Sequence, residues 1–238
     1  MGADIIPEKI SEDFRYDDSY YEALGLPKGI LTLKDKIRFL YASKWIAGES
    51  LLDVGAYYGD FIKLAWKENK LKSVYGTEVC DRRIKLANEK IGKQVVRMGF
   101  RHGDLDSFEE NSVDTITCME VLEHVDDLDR AVRELLRVAR KRIIITVPWE
   151  QKITYQLCVY CGRYSPESGH LRRIDREIIE RLFGGKVANY TILPIVNKRL
   201  LRVCRLLRIN SPELIVSVDR LLRFNMRGCL WAMIIVDK

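Results

Sequence analysis

Between Leu51 and Phe61 the chain reads Leu-Leu-Asp-Val-Gly-Ala-Tyr-Tyr-Gly-Asp-Phe, an apolar run that ends on an acid and then turns through glycines at 55 and 59 into an amphipathic stretch. Gly55 has access to backbone angles closed to other residues, and Gly59 lets the turn approach a ligand closely. A strand that feeds a helix through so short a turn is the unit of a mostly parallel sheet covered by helices. In open sheets of that kind, ligands bind at the carboxyl ends of the strands, where the strand order reverses. A carboxylate there, Asp53, suits a cationic amino-acid ligand better than a pyrophosphate. Taken alone, the segment also fits a tight turn that binds nothing.

The rest of the chain repeats the unit. Runs rich in β-branched and apolar residues at 50–55, 73–79, 94–101, 113–119, 142–147, 188–196 and 229–236 predict seven strands. Amphipathic stretches at 31–46, 60–68, 81–91, 127–139 and 175–183 predict the helices between them. A chain of 238 residues, 47% hydrophobic and 31% charged, fits one soluble α/β domain with a doubly wound sheet, and is not a disordered chain. The start, MGADIIPEKI, lacks a basic stretch followed by an apolar run, and Ile6 stands where a myristoylation motif needs Ser or Thr. The longest apolar run, 230–236, is too short to span a bilayer. Six scattered cysteines read as reduced thiols, and the expected location is the cytoplasm.

Two more acids close predicted strands. Glu78 follows Val-Tyr-Gly-Thr, 25 residues after Asp53, where a carboxylate can accept hydrogen bonds from ribose hydroxyls. Asp104, in His-Gly-Asp-Leu, is placed to accept from an adenine amino group. The fourth strand then runs into Met119-Glu120-Val121-Leu122-Glu123-His124.

Taken together, from Leu31 to Phe183, these segments resemble the class I S-adenosylmethionine-dependent methyltransferases, especially the branch that includes the ubiquinone and menaquinone biosynthesis enzymes. The resemblance implies a Rossmann-like, doubly wound seven-stranded sheet with flanking helices and the last strand antiparallel. It implies S-adenosylmethionine as cofactor, with Asp53 and the Gly55–Gly59 loop around its methionine part. Glu78 would then hold the ribose, Asp104 and Leu105 would flank the adenine, and Met119 to His124 would border the methyl group and the acceptor. The chain departs from the family at Tyr57, where the usual loop has a third glycine. A nicotinamide reading is weakened by the same departure, since that fingerprint needs the middle glycine for the pyrophosphate.

Transfer from a reactive sulfonium needs chiefly alignment and exclusion of water. A base is required only for a protonated acceptor, and His124 is the first candidate, with a helix-entry histidine bonded to backbone as its alternative. Glu120 is a candidate to orient the cofactor amine or the acceptor, and His170 is a second candidate on the segment expected to cover the pocket. That segment holds Cys158-x-x-Cys161, with His170 beyond it: three ligands suited to zinc, without a fourth, or reduced cysteines packed in a lid. Arg172 and Arg173 stand ready for an anionic acceptor or for solvent.

The net charge of +6 sits wholly beyond residue 196, where nine basic residues face three acidic ones. Arg199, Arg202, Arg205 and Arg208 fan over one side of a predicted helix; Leu200, Val203, Cys204, Leu206 and Leu207 take the other, expected to pack on the domain. The alternative is an interfacial helix on anionic lipid within 198–227. Nucleic acid is the less favoured partner, because the fourth strand lacks the Asn/Asp-Pro-Pro-aromatic loop of amino-methylating DNA enzymes. The expected organisation is therefore a helical cap at 1–49, a cofactor-binding core at 50–147, a lid at 148–173 and a basic insert at 197–227. The expected reaction is O-methylation of a small-molecule, glycan or lipid-linked acceptor; the alternatives are a nucleic-acid or protein methyltransferase, or a non-catalytic Rossmann-like module that binds a membrane or a partner.

Overall fold

The computed structural model describes residues 31–91, 95–96, 105–157, 159, 162–222, 226 and 228–238. The expectations placed on residues 1–30, on Asp104, on Cys158 and Cys161 and on most of the 94–101 strand lie outside the described residues.

A helix α1 (Leu33–Ser43) opens the described chain, its start fixed by a reciprocal cap between Thr32 and Asp35. Two strand–helix units follow, β1 (Ser50–Val54) with α2 (Asp60–Glu68) and β2 (Ser73–Thr77) with α3 (Asp81–Ile91), and then the two-residue β3 (Val95–Val96). Next come β4 (Val113–Met119), one 3-10 turn at Leu122–His124, α4 (Leu128–Val138) and β5 (Ala139–Pro148). A short hairpin of β6 (Tyr155–Leu157) and β7 (Tyr164–Pro166) precedes α5 (Arg176–Phe183) and β8 (Asn189–Asn197). Helices α6 (Lys198–Leu206) and α7 (Pro212–Leu222) then lead to β9 (Cys229–Asp237).

Seven strands form one sheet in the order β3-β2-β1-β4-β5-β9-β8. The pairings from β3 to β5 are parallel, and β9 runs antiparallel to both β5 and β8. Chain order reverses between β1 and β4, so the carboxyl ends of those two strands flank the crevice in which such sheets bind ligands.

The alternation of strand side chains divides the core into two layers. Leu52 and Val54 of β1 face one apolar cluster, while Leu51 faces the other. Against the first lies α4, whose Leu128, Ala131, Val132, Leu135 and Val138 recur at helical spacing on one buried face. Asp127 caps that helix by accepting from the Arg130 N–H at 2.9 Å. All seven residues of β4 are buried, as its position at the sheet centre requires. Its Asp114 is satisfied by the Glu49 N–H at 2.8 Å and by Arg140 and Lys141 at 2.7 and 3.1 Å. Burial raises the carboxyl pKa, but these donors outweigh it and hold the group well below the usual range.

Within 148–173, Tyr155–Leu157 and Tyr164–Pro166 pair as a separate hairpin, while Pro148 closes β5. One expectation needs correction. On α6, Cys204 is buried and Leu200 and Leu201 pack on the core, but Val203, Leu206 and Leu207 are 49%, 77% and 64% exposed. The cause is the anchoring of the helical pair. Tyr41 of α1 donates to Asp219 of α7 at 2.5 Å, and Asp219 also accepts the Val196 and Asn197 N–H groups at 3.1 and 3.0 Å. Asn197 in turn caps α6. These bonds set the rotation of both helices, and only part of the apolar face then meets the domain.

Candidate functional site

The turn after β1 is built as its sequence implies. Gly55 and Gly59 take φ values of +75° and +72°, and the Gly55 and Ala56 N–H groups donate to the Thr77 carbonyl at 2.9 and 2.8 Å. A side chain at Gly55 would place its Cβ 2.4 Å from Val121 Cγ2, so this turn touches the loop after β4. Tyr57 itself has a φ of +52°. The position demands the left-handed region that glycine enters freely, and a tyrosine stands there under strain. Its ring lies beneath the Arg83 guanidinium, 4.3 Å from the centroid, and its N–H donates to Glu78 Oε2 at 3.0 Å.

Asp53 is 3% exposed and accepts from the Thr117 hydroxyl at 2.7 Å. Burial pushes its pKa up to about 7, against the Thr117 bond and the charge of Arg38. Glu78 is also buried and is raised by that burial, opposed by Arg83 and by the N–H groups of Cys80, Val79 and Tyr57. Three backbone donors occupy most of the carboxylate's acceptor capacity and hold the group in place. Leu105 is fully buried. Met119 is buried at the end of β4, paired with Thr146 of β5.

Glu120 takes a φ of +57° and is held by four groups. Its N–H donates to the Thr146 carbonyl at 2.9 Å. Its carboxylate accepts from the Thr146 hydroxyl at 3.2 Å and the Trp231 indole N–H at 2.6 Å, and Arg38 lies 3.4 Å away. Burial again raises the pKa, to about 7. Arg38, Thr146 and Trp231 carry no site signal in the sequence, because they come from α1, β5 and β9 and meet Glu120 only through the sheet.

Beyond Glu120 the chain makes its 3-10 turn under the lid. His124 Nδ1 lies 2.9 Å from the Gly169 carbonyl, and the Leu171 N–H donates to the Glu123 carbonyl at 2.8 Å. The His124 and His170 rings meet edge to face with centroids 4.8 Å apart. Arg172 is committed to the carbonyls of Val125 and Asp126, the latter at 2.9 Å. It thereby ties the 148–173 segment to the turn that follows β4. Arg173 is half exposed, 3.8 Å from Glu150. The structure thus brings His124, His170 and Glu120 to the end of β4. It adds Glu123, whose signal was its place beside His124 at the mouth of a buried strand.

Residues 52–145 match the family described as a methyltransferase domain. A demethylmenaquinone methyltransferase of Bacteroides fragilis is 28% identical over 96 residues, and the chain spans only 39% of that relative's length. In fold, the chain is similar to an S-adenosylmethionine-dependent methyltransferase from Archaeoglobus fulgidus, with a TM-score of 0.62, 20% identity, and coverage of 93% of this chain and 100% of that one. A second such enzyme, from Mesorhizobium loti, gives 0.60 at 12% identity, with coverage of 87% and 100%.

Proposed function

We propose that this chain, whose residues 52–145 match a methyltransferase domain, is a class I S-adenosylmethionine-dependent methyltransferase that binds its cofactor at the β1–β4 crevice. There it transfers the methyl group to a hydroxyl oxygen of a small-molecule, glycan or lipid-linked acceptor. The observation that carries the reading is Asp53, a buried carboxyl at the switch point that makes no ion pair among the described residues. A buried carboxylate without a cation is costly, and the ammonium of an amino-acid ligand removes that cost. Beside it, the positive-φ turn brings backbone close to the ligand, and Glu78 is fixed at the end of β2 for the ribose.

The chemistry asks little of the protein beyond alignment and dryness. Met119 and Glu120 border the reacting methyl, with Trp231, Thr146 and Arg38 locking the Glu120 carboxylate. A carbonyl can only accept, so His124 Nδ1 carries the ring proton and Nε2 keeps its lone pair, the edge that receives a hydroxyl proton. His170 lies against it from the lid.

Calorimetric titration with S-adenosylmethionine, with NAD as control, tests the reading. Saturable micromolar-range binding of the former alone is expected, and Glu78→Ala weakens it at least tenfold. Unchanged affinity in that variant places the ribose elsewhere, and no binding by the wild-type chain overturns the proposal.

A further inference from the structure

Glu123 has no ordinary reason to be where it is. Its side chain is 1% exposed, and neither carboxylate oxygen has a hydrogen-bond partner among the described residues. Buried carboxylates are paired, hydrogen-bonded or bound to a metal, because an uncompensated charge in the interior is strongly unfavourable. The nearest cationic candidate, His170 Nε2, stands 4.0 Å from Oε1, too far for a hydrogen bond. His124 completes the group: one ligand atom from each of Glu123, His124 and His170 lies within 4.8 Å of the others.

We propose that Glu123, His124 and His170 form a binding site for one divalent transition-metal ion of the zinc type. Two imidazole nitrogens and one carboxylate are a donor set suited to zinc and to neighbouring first-row ions, whereas magnesium and calcium take oxygen ligands alone. The second shell is also in place. The Gly169 carbonyl holds Nδ1 of His124, so Nε2 is the nitrogen that would ligate, with the other ring nitrogen fixed on a carbonyl as ligating histidines require. The Leu171 N–H grips the Glu123 carbonyl, so the lid is fastened on both sides of the group. Ligand atoms around a tetrahedral ion with bonds of about 2.0–2.1 Å lie roughly 3.3 Å apart. The cluster therefore closes by at most about 1.5 Å on binding, a shift within reach of the lid loop that carries His170.

This site deepens the methyltransferase reading and rests on it for its role. Three protein ligands leave an open position, and an ion there binds the acceptor oxygen and lowers the pKa of its hydroxyl. The hydroxyl proton leaves to solvent and the oxygen attacks the sulfonium methyl. The O–C bond forms as the C–S bond breaks, and sulfur keeps the electron pair. While the ion is bound, His124 is a ligand and no longer the base. His170 is shared with the zinc set expected from Cys158 and Cys161, so the two sites compete for it and are distinguishable.

The full chain, purified without chelator or metal-affinity tag, is stripped of metal, dialysed and titrated with Zn²⁺ by calorimetry and with Co²⁺ by visible absorption. The expected result is one equivalent bound, a metal-dependent rise in melting temperature, and a cobalt spectrum without the thiolate charge-transfer band of a cysteine site. Glu123→Gln and His170→Gln each weaken Zn²⁺ binding at least tenfold, while Cys158→Ser with Cys161→Ser leaves it unchanged. S-adenosylmethionine titration of each variant reports whether it is folded, and His170→Gln, on the lid, serves if Glu123→Gln is not. No saturable metal binding by the wild-type chain overturns the site, as does binding lost only in the cysteine variant. Cofactor binding without metal binding sinks this inference alone, and the converse sinks only the methyltransferase reading.

Discussion

Tyr57 shows how a departure from a loop's usual residue is absorbed. The left-handed backbone that Gly55 and Gly59 adopt without strain costs a tyrosine about 1 kcal/mol or more. Stacking under Arg83 and the backbone bond to Glu78 offset that cost and tie the turn to the neighbouring strand. Removing the ring while keeping the strain is therefore worse than removing both. Tyr57→Ala is expected to lower stability by about 1–2 kcal/mol, and Tyr57→Gly to lie about 1 kcal/mol above the alanine variant. Urea unfolding with equal slopes for the two variants measures the difference. An alanine variant as stable as the glycine variant would show that the backbone there is unstrained.

At the scale of elements, α6 and α7 pose the clearest question. Arg199, Arg202, Arg205, Arg208 and Arg220 are exposed, and among them stand Leu206, Leu207, Leu221 and Leu222, from 52% to 80% exposed. Leucines interspersed with arginines fit a surface that is anionic outside and apolar just beneath, which is that of an anionic membrane. We propose that this helical pair docks on such lipid, which would bring a lipid-linked acceptor to the crevice. No helix among the described residues is long and apolar enough to cross a bilayer. Sedimentation with phosphatidylglycerol vesicles should pull the protein down, and neutral phosphatidylcholine vesicles should not. Arg202→Glu with Arg205→Glu, or Leu206→Ser with Leu221→Ser, is expected to cut binding more than tenfold. Equal binding to both lipids, or to neither, rejects the docking surface.

Over the whole molecule, the crevice collects carboxyls whose pKa values move upward. Asp53 and Glu120 both reach about 7, chiefly through burial. Between the unfolded value near 4 and that raised value, the folded chain retains protons that the unfolded chain has released. These groups therefore make the ligand-free protein less stable as pH rises through that window. Asp114, at the opposite ends of the strands, has the reverse sign, and its stabilisation is lost only as pH falls below the ordinary carboxylate range. A cationic ligand needs Asp53 ionised, so affinity for S-adenosylmethionine is expected to rise by up to about tenfold between pH 6 and pH 8. Asp53→Asn flattens that profile. A wild-type profile that is already flat would show that Asp53 is not the partner of the ammonium.

Some of this protein follows from neighbouring residues alone. Apolar periodicity sets α2 at Asp60–Glu68, α3 at Asp81–Ile91 and β4 at Val113–Met119, and the Gly55–Gly59 turn follows from the backbone angles that glycine admits. The strand-end positions of Asp53 and Glu78 are equally local, since Asp53 is the penultimate residue of β1 and Glu78 directly follows β2. The three-residue strands β6 and β7 are too short to show an alternation, so they left no mark in the pattern. The partners of Glu120 are another matter. Trp231 is 111 positions away, and only the β4–β5 and β5–β9 pairings bring its indole to that carboxylate. His170 reaches Glu123 because the lid folds back and bonds its carbonyl. Periodicity likewise marks an apolar face on α6 without saying what covers it, and the Tyr41–Asp219 anchor decided that several leucines stay outside. Local sterics act between adjacent residues and are written in their order, whereas a buried carboxylate's partners depend on sheet register and helix rotation, which exist only once the chain has packed.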